Sequence, residues 1–218
     1  MVTASHLVKK ALSGNSFLLE AMSKELISYG NLAEQLKPEI EQELGKKVKE
    51  SAIIMALRRY AEELQNFDKN IKKFKFHGEI LMRTNIMDFN IVKSNSLLNK
   101  IKNIYSLVNF EKGDTLNIIL GSNEVSIVTN EKYKEKLSNF LKVEKILNKK
   151  FDLVALTIVF ESKDFFTTPG VIFTAIRKLA WEQINIYEIV STMTELTFIL
   201  SKKDSIRAYN VLQELVKK

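Results

Sequence analysis

The first 65 residues carry apolar positions at helical spacing. Leu7, Val8, Ala11 and Leu12 form a short stripe, and Leu18, Leu19, Met22 and Leu26 lie on one side of a helix predicted over 17–27. Ser28-Tyr29-Gly30-Asn31 predicts a break. Asn31 is placed to cap a short helix, 32–36, and Pro38 suits the first turn of another, 39–44. Gly45 follows as a C-terminal stop. A last helix, 50–64, would bury Ile53, Leu57, Tyr60, Ala61 and Leu64. The polar, basic stretch that follows, residues 66–75, reads as a linker between this helical domain, 1–65, and the rest.

Beyond the linker the period changes. Segments 78–83 and 89–93 read as strands, and Ser94-Asn95-Ser96 offers a cap to a helix buried through Leu97, Leu98, Ile101, Ile104, Tyr105 and Val108. Gly121-Ser122-Asn123 separates strands 115–120 and 124–129, and 131–141 reads helical. The same order then recurs. Residues 153–160 form an apolar strand interrupted by Thr157, and a loop, 161–168, leads to Pro169-Gly170. The helix after it carries Ile172, Ala175, Ile176, Leu179 and Ala180 in one stripe, strands follow at 184–190 and 195–200, and Asp204 is placed to cap a last helix.

Strand-helix-strand-strand-helix thus occurs twice, at a period of about 65 residues, which is the ferredoxin-like split unit. The fold class expected is α+β: an all-helical, helix-turn-helix-like domain, then two ferredoxin-like βαββαβ units, 76–150 and 151–218. The second unit ends without room for a fourth strand, and the surplus strand near 78–84 is available to fill that place. Helices would cover one face of each sheet. The other face needs a partner, such as the sister unit.

Composition narrows the chemistry. With 45% apolar and 27% charged residues the chain is an ordinary globular one. No cysteine occurs, which removes disulfides, thiolate metal sites and cysteine nucleophiles together, and the two histidines, His6 and His77, stand far apart. No catalytic constellation, metal set or cofactor motif emerges, so a non-enzyme is expected. No apolar run approaches the roughly 20 residues of a membrane span, and residues 1–10 carry no signal-peptide core, so a cytoplasmic location is expected.

The net charge of +7 is uneven: residues 1–75 hold 13 Lys+Arg against 10 Asp+Glu, 76–150 hold 12 against 8, and 151–218 hold 8 of each. Only the first two thirds could attract a polyanion. There, Lys46, Lys47, Lys49, Arg58 and Arg59 flank the helix-turn-helix-like turn and are candidate DNA contacts. Glu50, Glu62 and Glu63 on the same helix would repel phosphate, and Arg58–Glu62 and Arg59–Glu63 are spaced as i,i+4 pairs, so a solvated helix face is the competing reading.

The clearest functional segment is Thr167-Thr168-Pro169-Gly170-Val171-Ile172, followed downstream by Ile184-Asn185-Ile186 and Ile189-Val190-Ser191-Thr192. Pro169 fixes a helix entry, Gly170 allows close approach, and the free N–H groups of a helix start suit a carboxylate. In these motifs residues 152–216 resemble the ACT domain, in the version at the C-terminus of aspartate kinases. That resemblance implies a small amino acid held where two such units meet, with Thr167, Thr168, Gly170, Val171, Asn185 and Ile186 as its contacts. Two threonines stand where many ACT domains carry Asp or Asn before Pro-Gly, with Asp164 the nearest carboxylate, and the first unit, 76–150, matches in element order alone. Trp181 projects away from the helix's apolar stripe, either as an interface anchor or packed under the first unit or a loop. The expected protein is a regulatory amino-acid-binding protein, a homodimer, coupling ligand binding to its helical domain. The alternatives are an amino-acid-responsive DNA-binding regulator and a stand-alone regulatory subunit of a biosynthetic enzyme.

Overall fold

A computed structural model describes residues 3–73, 77–162 and 164–216, the side chains of 65–73 excepted. The chain divides into two compact units, Met1–Phe74 and Lys75–Lys218.

In the first unit α1 (Ala4–Leu12), α2 (Ser16–Ser23) and α3 (Tyr29–Leu44) pack against α4 (Glu50–Lys73). Thr3, Asn15 and Ser28 cap the first three, each side chain accepting a bond from a first-turn amide. The core joins Leu7, Val8, Leu12, Met22, Ala33 and Ile40 to Ile53, Leu57 and Ala61 of α4. Two expectations need correction. Residues 29–44 form one helix that is capped by Ser28 rather than Asn31 and runs on through Pro38, where two were read. The segment read as a linker is helical as far as Lys73, with residues 74 and 75 outside the described ones. Gly45 ends α3 in the left-handed conformation, φ 65°, which glycine adopts without the steric cost of a Cβ.

The second unit is built on one six-stranded antiparallel sheet in the order β2-β3-β1-β4-β6-β5. Its strands are β1 (Gly78–Val92), β2 (Leu116–Leu120), β3 (Glu124–Asn130), β4 (Ile146–Phe160), β5 (Ile186–Ser191) and β6 (Glu195–Ser201). Its main helices are α5 (Asn95–Ile104), α6 (Lys134–Phe140), α8 (Val171–Trp181) and α9 (Ser205–Gln213), with a single turn, α7 (Asp164–Thr167), before α8. β1 and β4 are each 15 residues long and pair with one another from Gly78–Phe160 to Ile91–Ile146. The far half of each therefore serves as the fourth strand of the other repeat, which is how 78–83 fills the place left open by the second repeat.

Both long strands were legible only in part, as 78–83 with 89–93 and as 153–160. The polar residues between them hide a bulge in each: Asn85 and Asp152 adopt φ 56° and 53°, and the register shifts around Ile86. A bulge breaks the period-2 alternation on which strand reading rests.

On one face Met87, Phe89, Ile91, Val125 and Ile127 pack with Leu97 and Ile104 of α5 and Leu137 of α6. The opposite face was expected to need a partner, such as the sister unit. The one sheet curls toward that face, so that Asn117 of β2 in the first repeat and Val190 of β5 in the second, from its two edges, line a common cavity. The interior of the curl buries Ile86, Val128, Leu153, Ala155 and Ile199.

Candidate functional site

The expected ligand loop begins where β4 ends. The amide of Phe160 donates to the carbonyl of Thr194 at 2.7 Å, and the Phe160 ring stacks on Phe165 of α7 at 4.2 Å, so the loop is seated by a buried aromatic pair. Lys163 lies outside the described residues. Thr168 N–H donates to the Asp164 carbonyl, which closes the turn. Gly170 then takes φ 89° at the N-cap of α8 and offers no side chain to cap it. Thr174 N–H and its hydroxyl both donate to the Gly170 carbonyl. Gly170, with φ 89° and ψ −6° after Pro169, makes Thr168–Val171 a type II turn that faces the Val171 amide toward the Thr168 carbonyl, and among the described residues no acceptor meets the amides of Ile172 and Phe173. Unsatisfied amides at a helix start suit an anionic group.

Thr167 is exposed and Thr168 half-buried beside these amides, whereas the Val171 side chain is buried. Asn185 and Ile186 are elsewhere. Ile186 pairs with Leu200, which pairs with Val154, whereas the loop leaves from Phe160. Six residues of strand, about 20 Å, separate those levels. Within one chain Asn185 and Ile186 thus stand at the opposite end of the sheet from Thr167, Thr168 and Gly170.

The buried stripe of α8 is Val171, Ala175 and Leu179, rotated from the one expected, and Ile172 and Ala180 are exposed. Trp181 is 72% exposed at the end of the helix. In the first unit Lys46, Lys47, Lys49, Arg58 and Arg59 are all exposed. Glu63, expected to pair with Arg59, bonds Lys9 at 2.6 Å. Asp204 stands at the N-cap of α9, but its carboxylate pairs with Arg207 at 2.9 Å instead of capping. Among the described residues no cluster of His, Asp and Glu could hold a metal ion, and no helix is long and apolar enough to cross a membrane.

The concave face carries polar chemistry that sequence reading passed over. At one end Ser126 donates to Asp88 at 2.8 Å, and Asp88 is only 3% exposed. Burial pushes the Asp88 carboxyl above its ordinary range, against the pull of Ser126 and Asn90. Burial likewise raises Glu188 of β5, helped by the charges of Asp88 and Glu124. At the other end the hydroxyls of Thr157 and Thr197, both buried, meet at 2.8 Å. The one sequence signal for that end was Thr157, which interrupts an otherwise apolar strand.

No protein-family model and no curated protein matches the sequence. Solved structures do resemble the C-terminal unit. The regulatory subunit of aspartate kinase from Thermus thermophilus, in a ligand-free form, superposes with a TM-score of 0.54 at 13% identity, over 66% of this chain and 100% of that one. The corresponding subunit from Thermus flavus gives 0.52 at 12%, over 64% and 97%. Aspartate kinase from Clostridium acetobutylicum gives 0.53 at 17%, over 66% of this chain and 36% of that one. At such identities the likeness establishes the fold: the C-terminal unit has the mixed helix-and-sheet architecture of aspartate kinase regulatory domains.

Proposed function

We propose that this chain is a non-catalytic regulatory protein whose C-terminal unit binds a small amino acid, with the ligand carboxylate on the amides that open α8. The observation that carries the reading is that the amides of Ile172 and Phe173 have no acceptor among the described residues, beside the hydroxyls of Thr167 and Thr168. The fold shared with aspartate kinase regulatory subunits supports it. Asn185 and Ile186 would join such a site from a second copy of the chain, which is the reason to propose a homodimer, and exposed Trp181 is a candidate contact between copies. A ligand acts on the helical unit only through unequal affinity for two arrangements of the protein.

The test is calorimetric titration of the full chain and of a Thr167→Val/Thr168→Val variant with the amino acid that stabilises it most. Loss of the two hydroxyls should weaken binding about tenfold, the equivalent of about 1.4 kcal/mol. Unchanged affinity contradicts this placement.

The exposed lysines Lys46, Lys47 and Lys49, at the turn into α4, favour a second reading in which the helical unit contacts DNA under amino-acid control. Affinity for mixed duplex DNA at two salt concentrations decides it. Absence of binding at low salt removes this reading.

A further inference from the structure

The two repeats of the C-terminal unit are not equivalent where their polar side chains meet the concave face. Lys150 of β4 stands directly opposite Asp88 of β1 in the strand register. The same relationship taken 67 positions away (83 to 150, 88 to 155) pairs Arg83 of β1 with Ala155 of β4. One end of the curl thus has a base across from a buried acid. The other has a base across from a methyl group. Where the acid is missing there is a cavity of about 100 Å³, lined by Arg83, Asn117, Ala155, Thr157, Thr197 and Glu195 among others.

Arg83 and Glu195 are both exposed, and neither forms an ion pair among the described residues, with the other or with a third group. The buried Thr157–Thr197 pair can spend one hydroxyl proton between its two oxygens, which leaves the other proton for an acceptor. The cavity therefore offers a cation, hydroxyl and amide donors, and a separate carboxylate. Drug-sized ligands occupy roughly 300–1,000 Å³, so this space holds only a few heavy atoms.

We infer that this cavity is a site for a small zwitterion of glycine or alanine size, its carboxylate against Arg83 in the space that Ala155 leaves and its ammonium toward Glu195. The guanidinium fork suits a carboxylate in two-point contact. This site is distinct from the start of α8 and stands whether or not that helix binds a ligand.

The test is a titration of the full isotopically labelled chain with glycine and with L-alanine, followed by amide chemical shifts, with acetate and methylammonium as half-ligands. Saturable shifts are expected at Asn117, Thr157 and Thr197. Arg83→Gln and Glu195→Gln, at exposed positions, should each weaken glycine at least tenfold while circular dichroism stays unchanged, and each half-ligand should bind at least tenfold more weakly than glycine. Shifts confined to Val171–Phe173 overturn this site while supporting the one at α8. Absence of any saturable shift at 50-fold excess over millimolar affinity, affinity unmoved by both variants, or acetate binding as tightly as glycine overturns it outright.

Discussion

Ile86 stands directly opposite Leu153 at the centre of the β1·β4 pair, and both are fully buried on the concave face. The residue before each, Asn85 and Asp152, is the bulge residue with positive φ. The two repeats therefore meet at this pair, each lending half a strand to the other, and neither owns a complete sheet alone.

Truncating that pair should destabilise the whole C-terminal unit. Leu153→Ala is expected to cost about 2–5 kcal/mol, read from the denaturant midpoint. Because each repeat borrows a strand, the unit should still lose its structure in one transition. Two separate transitions for residues 78–141 and 146–216 would contradict the exchange of strands.

Much of this architecture was readable before any coordinates. The repeated element order, the cap at Ser94, the stop at Gly45 and the hairpin around Gly121 all rest on local rules that tertiary structure did not override. What was not readable depends on long-range geometry. Asn85 and Asp152 look like turn residues in sequence, and only strand pairing makes them bulges inside long strands. Arg83 and Glu195 are 112 positions apart (83 to 195), and only the curl of the sheet puts them around one cavity. The threonines before Pro169 were visible as a motif, whereas the separation of Asn185 from them follows from the β5–β6 register.

Acidity should act on the concave face in a definite direction. Asp88 and Glu188 are held above their ordinary values in the folded chain, chiefly by burial. The folded state then binds more protons than the unfolded one over the window starting near the ordinary carboxylate pKa, about 4. Stability from these groups is thus present below that window and falls as pH rises through it. Asp88→Asn keeps an acceptor for Ser126 and removes the charge. It should raise stability at pH 7, leave it nearly unchanged at pH 4, and flatten the profile between. Equal effects at both pH values would contradict a buried charge as the cause.

Glu144 should behave in the opposite sense. Lys100, 2.6 Å away, and then Ser96 hold its carboxyl low. Its contribution is complete above the ordinary carboxylate range and is lost as pH falls through the depressed value. Glu144→Gln should therefore destabilise at pH 7 more than at pH 3. Ser94, whose hydroxyl also donates to Glu144, caps α5, and Ser94→Ala should cost about 1 kcal/mol in thermal or denaturant unfolding.

Gly78 and Gly170 test backbone rather than charge. A Cβ on Gly78 would lie 1.9 Å from the Val159 carbonyl oxygen, so Gly78→Ala must displace β1 from β4. A cost of about 1–3 kcal/mol is expected, with faster hydrogen exchange confined to that end of the pair. Gly170→Ala forces a Cβ into the left-handed region at φ 89°, for about 1–2 kcal/mol.

The most direct trial of amino-acid regulation is thermal unfolding of the full chain in the presence of each of the twenty amino acids. A ligand at about 100 times its Kd adds about 2.7 kcal/mol, which for a chain of this size raises Tm by roughly 5–10 °C. One amino acid, or a small group alike in side chain, should give that shift. Twenty flat results at saturating concentration would contradict the proposal that this fold serves here as an amino-acid sensor.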